Sequence, residues 1–168
     1  MAKVAFVLGD GFEDSELKVP YDRVREAGHD ATIVGVEKGA EVTGKRGDVA
    51  VLVEATPADV RADEFSLLVI PGGWAPDKLR MDPDVVDFVR GFFDLAKPVA
   101  AICHAGSLLV EADAVRGRRL TSYPSIRTDL VNAGAEWVDE EVVEDGNLVT
   151  SRRPADLDAF TAAILRRL

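Results

Sequence analysis

One cysteine, Cys103, stands among the 168 residues, so no disulfide can close within the chain and any thiol chemistry has a single origin. Histidine is nearly as scarce, with only His29 and His104. No apolar run approaches ~20 residues, so no transmembrane helix is expected. The opening MAKVAFVLGD is too short an apolar run for a signal peptide. With the lone cysteine, these features point to a cytoplasmic protein. Basic residues are also under-represented, 20 Lys plus Arg against 30 Asp plus Glu, and the net charge of −10 argues against a nucleic-acid surface. The acidic excess reads as a solvated, soluble exterior.

What is present fits one globular domain over residues 1–168, with 47% hydrophobic residues and no repeat, linker or low-complexity segment. Lys3 to Leu8 is an apolar strand ending at Gly9-Asp10-Gly11, followed by a helical segment in which Pro20 predicts a late start or a kink. Strands are expected at Ala31 to Val36, Val49 to Val53, Phe65 to Ile70 and Pro98 to Ile102. Asp82-Pro83 caps a helix over Asp84 to Leu95 with Val85, Phe88, Val89 and Phe92 on one face. A short extended piece at Leu120-Thr121, a helix near Ile126 to Ala133, a hairpin across Asp145-Gly146-Asn147 and an amphipathic helix over Pro154 to Leu168 complete the chain. Such alternation predicts a mostly parallel sheet covered by helices on both faces, with ligands bound beyond the carboxyl ends of its strands.

Cys103 lies where a buried strand meets a helix, flanked two residues away on each side by Ala101 and Ala105. Small residues there suit a tight nucleophile elbow, and a helix N-terminus favours thiolate over thiol. The competing reading is a buried structural cysteine, which the adjacent His104 and the strand-to-helix join disfavour. Asp10, Glu13 and Asp14 share one loop, but no His or Cys accompanies them, so no metal is expected. Glu13 also reads as an ordinary first-turn acid, Asp77 as a solvated loop carboxylate, and His29 as a surface turn residue.

Six segments occur together and in order: Gly11-Phe12-Glu13-Asp14, Thr43-Gly44-Lys45, Pro71-Gly72-Gly73-Trp74-Ala75-Pro76, Ala101-Ile102-Cys103-His104, Thr121-Ser122-Tyr123-Pro124, and Asn132 through Asp139. Over nearly its whole length the chain resembles the PfpI intracellular-protease family of the ThiJ/PfpI superfamily, which includes the parkinsonism-associated deglycase. The resemblance implies a flavodoxin-like three-layer α/β sandwich. It implies Cys103 as nucleophile, His104 as its histidine, Glu13 as the acid that contacts the thiol, Gly73 and His104 as oxyanion-hole amides, and Tyr123 in the pocket. Trp74 is expected at a subunit contact or roofing the pocket. Asp77 stands where peptidase members place a glutamate that reaches a neighbouring subunit's histidine, and Ala105-Gly106-Ser107 replaces the usual glycine and proline. No cofactor is implied, and a homo-oligomer is.

Two chemistries follow from that set: peptide hydrolysis, and conversion of 2-oxoaldehydes or glycated groups with Glu13 shuttling the proton. A redox-sensing or chaperone-like stress protein with an oxidisable Cys103 is the alternative from another class. A glutamine-amidotransferase half is disfavoured, because its histidine belongs on a separate loop.

Overall fold

Strands that are apolar on both faces need cover on both sides, and Leu67–Ile70 and Val99–Ile102, buried at every position, receive it. A computed structural model of the chain describes all of residues 1–168. In chain order the elements are β1 (Lys3–Val7), α1 (Asp14–Glu26), β2 (Asp30–Val34), β3 (Glu41–Thr43), β4 (Ala50–Leu52), β5 (Leu67–Ile70), α2 (Ala75–Leu79), α3 (Pro83–Asp94), β6 (Val99–Ile102), α4 (Gly106–Glu111), β7 (Arg119–Leu120), α5 (Arg127–Asn132), β8 (Glu136–Trp137), β9 (Val142–Asp145), β10 (Leu148–Ser151) and α6 (Leu157–Leu165). The main sheet runs β2-β1-β5-β6-β10-β9, parallel except for β9, which pairs antiparallel with β10. Helices α1 and α6 pack together, while α4 contacts α2, α3 and α5. This is the flavodoxin-like order, whose switch point falls between β1 and β5.

Local chemistry explains most boundaries. The Asp82 carboxylate accepts from the amides of Asp84 and Val85 at 2.9 and 3.2 Å, Pro83 opens α3, and Val85, Phe88, Val89 and Phe92 are buried as their spacing predicts. Helix α1 starts at Asp14, not late, and carries Pro20 in its interior. The strand expected at Val49 to Val53 shortens to β4 and pairs only with β3, outside the main sheet. The last helix also shortens. Pro154–Asp156 forms a 3-10 turn because the Asp156 carboxylate folds back onto Arg152, with Oδ2 at 2.9 Å from Nε and Oδ1 at 3.0 Å from the guanidinium. No helix is long and apolar enough to cross a membrane.

Candidate active site

Three loops meet at the carboxyl ends of β1, β5 and β6. Cys103 follows β6 directly and takes a left-handed φ of 62°, a conformation costing ~1 kcal/mol or more for a residue with a Cβ and kept only where the surroundings impose it. A 3-10 turn, Cys103–Ala105, leads into α4. The loop after β5 must come very close. A Cβ on Gly72 would lie 2.7 Å from Glu16 Oε1 and 2.8 Å from the Cys103 Cβ, and Gly73, at φ 78°, would place one 2.5 Å from the Gly11 carbonyl. This approach brings the backbone N–H groups of Gly73 and His104 close enough to the Cys103 sulfur to favour its ionised form.

The acid against the thiol is Glu16, not Glu13. Glu16 is fully buried, its Oε1 accepts from the Gly72 amide at 2.9 Å, its Oε2 is buried without a hydrogen-bond partner, and the carboxyl lies close enough to the Cys103 thiol for each to act on the other. Burial pushes the Glu16 carboxyl up to about 8, against the Gly72 amide. Burial and then the Glu16 charge push the Cys103 thiol up to about 12, against the amides of Gly73 and His104 and the charge of Lys45. The thiolate expected from a helix terminus is therefore not the resting form. Cys103 is only 6% exposed, and desolvation outweighs the few amides aimed at it.

Glu13 has other work. It occupies the N-cap position of α1, pairs with Lys45 Nζ at 2.7 Å and accepts from Arg46 Nε at 3.1 Å. Burial opposes its charge, but the Lys45 hydrogen bond and the two cations hold its carboxyl below the usual glutamate range. Asp10 accepts from the Thr43 amide at 3.0 Å, while Asp14 accepts from the amides of Arg46, Asp48 and Val49, each at 2.9 Å. These acids lash the Thr43–Val49 loop to the start of α1, and Lys45 hangs from it close enough for its charge to act on Glu16, Cys103 and His104. No group of three or more His, Cys, Asp or Glu is placed to share a metal ion.

His104 lies half-buried against Tyr123, ring centroids 4.9 Å apart and tilted by 34°. Burial, then the Lys45 charge, keeps its pKa below the usual histidine value, so the imidazole is neutral at pH 7. Tyr123 is anchored by its own amide, which donates to the Cys103 carbonyl at 3.1 Å. Exposed Asp77, in the first turn of α2, lines a cavity of about 460 Å³ with Trp74, His104 and Asp129. Trp74 also lies across Gly11, where a Cβ would meet its ring at 3.1 Å.

Residues 2–167 match the DJ-1/PfpI family. The chain belongs to that family. Over 166 residues it is 47% identical to a deglycase of Pyrococcus horikoshii, 99% of each chain being covered. It is 48% identical over 167 residues to general stress protein 18 of Bacillus subtilis, covering 99% of this chain and 97% of the relative. The crystal structure of Drosophila melanogaster DJ-1beta is similar with a TM-score of 0.92 at 34% identity, covering 99% of this chain and 90% of that one.

Within this DJ-1/PfpI domain, sequence reasoning brought Cys103, His104, Gly73, Tyr123 and Trp74 to one place, and the structure gathers them there. It missed Glu16 and Lys45. A signal for Glu16 does exist: it shares the buried stripe of α1 with Leu17, Pro20 and Val24, and an acid on an apolar stripe is the unusual feature. Lys45 stands in the Thr43-Gly44-Lys45 segment that the resemblance rests on, but nothing local assigns it a role, because its loop reaches the site only through tertiary hydrogen bonds.

Proposed function

We propose that this chain is a cysteine-dependent enzyme that acts on reactive carbonyls, converting 2-oxoaldehydes and their adducts with amines or thiols into 2-hydroxy acids. The observation that carries the reading is the Cys103–Glu16 pair, a nucleophile and a carboxyl with a raised pKa enclosed together beneath two backbone amides. With methylglyoxal, the sulfur adds to the aldehyde carbon while its proton passes to the new oxygen, giving a hemithioacetal. The amides of Gly73 and His104 stabilise negative charge on that oxygen. Glu16 in its carboxylate form removes the proton from the former aldehyde carbon and returns it to the neighbouring carbon, yielding a thioester. Water then adds to the thioester and the sulfur leaves with a proton, releasing lactate.

Peptide hydrolysis asks for an imidazole that can protonate a leaving amine, and no carboxylate of this chain acts on His104. Asp77 of a second copy would be required, so an obligate homo-oligomer belongs to that reading. Redox sensing calls for an exposed, acidic thiol, and Cys103 is neither.

The test is lactate formation from methylglyoxal by the wild-type protein, Cys103→Ser and Glu16→Gln. Turnover in the wild type and its loss in both variants is the expected result. No lactate from the wild-type protein would refute the reading.

A further inference from the structure

Beside the nucleophile the chain keeps more room than a reactive carbonyl needs. The cavity that His104 shares with Trp74, Asp77 and Asp129 has a volume of about 460 Å³. That lies within the ~300–1,000 Å³ of sites that hold drug-sized ligands, and a three-carbon dicarbonyl fills little of it. His104 supplies one of the amides that act on the Cys103 sulfur, so this space adjoins the reacting carbon. It is open to the amine or thiol part of an adduct.

The charges on its walls are uneven. Asp77 lies in the first turn of α2 and Asp129 in that of α5, both are exposed, and no ion pair of the chain uses either. A first-turn position favours a carboxylate at each place, but it does not explain why two separate helices bring theirs to one cavity. Of the two cations on the same walls, Arg80 is held by Glu111 at 3.1 Å, and only Lys78 is unpaired. Two free carboxylates against one free ammonium leave the cavity negative. Trp74 lies across Gly11 yet remains 62% exposed, and it adds an aromatic surface to the same walls. Carboxylates beside an exposed indole suit a guanidinium or a substituted ammonium. Neither acid acts on the His104 imidazole, so both are left for the substrate beyond its reacting carbon.

We propose that Asp77, Asp129 and Trp74 form a subsite for a positive charge on the leaving amine or thiol of the adduct, a few bonds beyond the atom joined to the carbonyl carbon, as in a polyamine or a peptide with a neighbouring basic residue. This rests on the carbonyl chemistry proposed above, and it makes the three residues specificity determinants. The methylglyoxal hemithioacetal of thiocholine, a permanent cation, should show a KM about three- to tenfold lower than that of neutral 2-mercaptoethanol, the scale of an exposed ion pair with a cation–π contact. Asp77→Asn and Asp129→Asn should each shrink that ratio and Lys78→Gln should enlarge it. Asp158→Asn, which removes a negative charge on α6 outside the cavity, should leave it as it is. The same comparison between hemithioacetals of N-acetylcysteinyl-arginine amide and N-acetylcysteinyl-alanine amide identifies the source: a larger ratio than thiocholine gives assigns the subsite to basic peptides, a smaller one to small amines. A second readout needs no turnover: the rates at which the cationic trimethylammonioethyl and the anionic sulfonatoethyl methanethiosulfonates modify Cys103 at pH 8. A cation-to-anion rate ratio that falls in Asp77→Asn and Asp129→Asn but not in Asp158→Asn supports the subsite. If the wild type turns over neither thiocholine nor mercaptoethanol hemithioacetal, the proposed reaction fails while the modification rates still decide the subsite. Equal KM values, a rate ratio that Asp77→Asn and Asp129→Asn leave unchanged, or an equal fall in Asp158→Asn would overturn it.

Discussion

Cys103 and Glu16 titrate as a pair, so the state of each sets the chemistry of the other. Because Glu16 is raised to about 8 and Cys103 to about 12, the first proton leaves near pH 8 and the anion it creates opposes loss of the second. Replacing Glu16 by Gln removes that opposing charge and the proton shuttle together, which predicts opposite changes in two measurements. Alkylation of Cys103 by iodoacetamide at pH 9 should proceed faster in Glu16→Gln than in the wild type, while lactate formation falls by roughly 10²–10⁴-fold, the usual contribution of a positioned acid–base group. Slower alkylation in the variant would show that the carboxyl assists the thiolate instead. Gly72→Ala should abolish turnover and alkylation alike, since its Cβ would meet Glu16 Oε1 and the Cys103 Cβ at 2.7 and 2.8 Å. Sequence disclosed the thiol and the glycines, because a tight turn restricts residue types. It misplaced the acid, because Glu13 and Glu16 are three residues apart at the start of one helix and only the sheet decides which one faces the thiol.

At the scale of elements, the central strands and α3 were legible because four-residue apolar runs and a capped amphipathic helix carry their own signals. The stretch from Glu41 to Leu52 was less so. Its hairpin is held by Asp14, whose carboxyl stays below the ordinary aspartate range although burial opposes its charge, because the amides of Arg46, Val49 and Asp48 favour the ionised form. No periodicity within residues 41–52 announces an anchor on another helix. Asp14→Ala should leave the fold intact at a cost of roughly 2–4 kcal/mol, the scale of a few charge-assisted hydrogen bonds lost from a buried site. Hydrogen exchange should quicken at the Arg46, Asp48 and Val49 amides far more than in β5 or β6. As Lys45 loosens with its loop, the pH at which Cys103 becomes alkylated should rise, because its ammonium favours both anions of the pair. An unchanged alkylation profile with accelerated exchange would separate the loop from the chemistry.

For the whole molecule, these same groups shape stability against pH. Glu13 and Asp14 have folded-state pKa values below their unfolded ones, so their stabilisation is present above about pH 4 to 4.5 and is lost as pH falls through the folded values. Glu16 has the opposite sign. Between its unfolded value of 4.5 and its folded value of about 8 the folded state holds the extra proton, so stability declines as pH rises through that window, by on the order of 5 kcal/mol in total. His104, lowered by burial and by Lys45, makes stability rise with pH, but only up to its ordinary value near 6.5. From pH 6.5 to 8 the Glu16 contribution therefore stands alone, since other carboxylates are already ionised and the thiol has yet to titrate. Self-repulsion from the net charge of −10 also destabilises the fold, yet it is nearly constant over this interval and is screened at 1 M salt, where the Debye length is ~3 Å. Salt should thus raise Tm by a similar amount at pH 6.5 and pH 8 without removing the fall between them. Glu16→Gln should remove that fall at either salt concentration, and thermal melts of the two proteins at both pH values measure it. A decline that vanishes in 1 M salt, or persists in Glu16→Gln, would assign the pH dependence to surface charge and deny Glu16 its raised pKa.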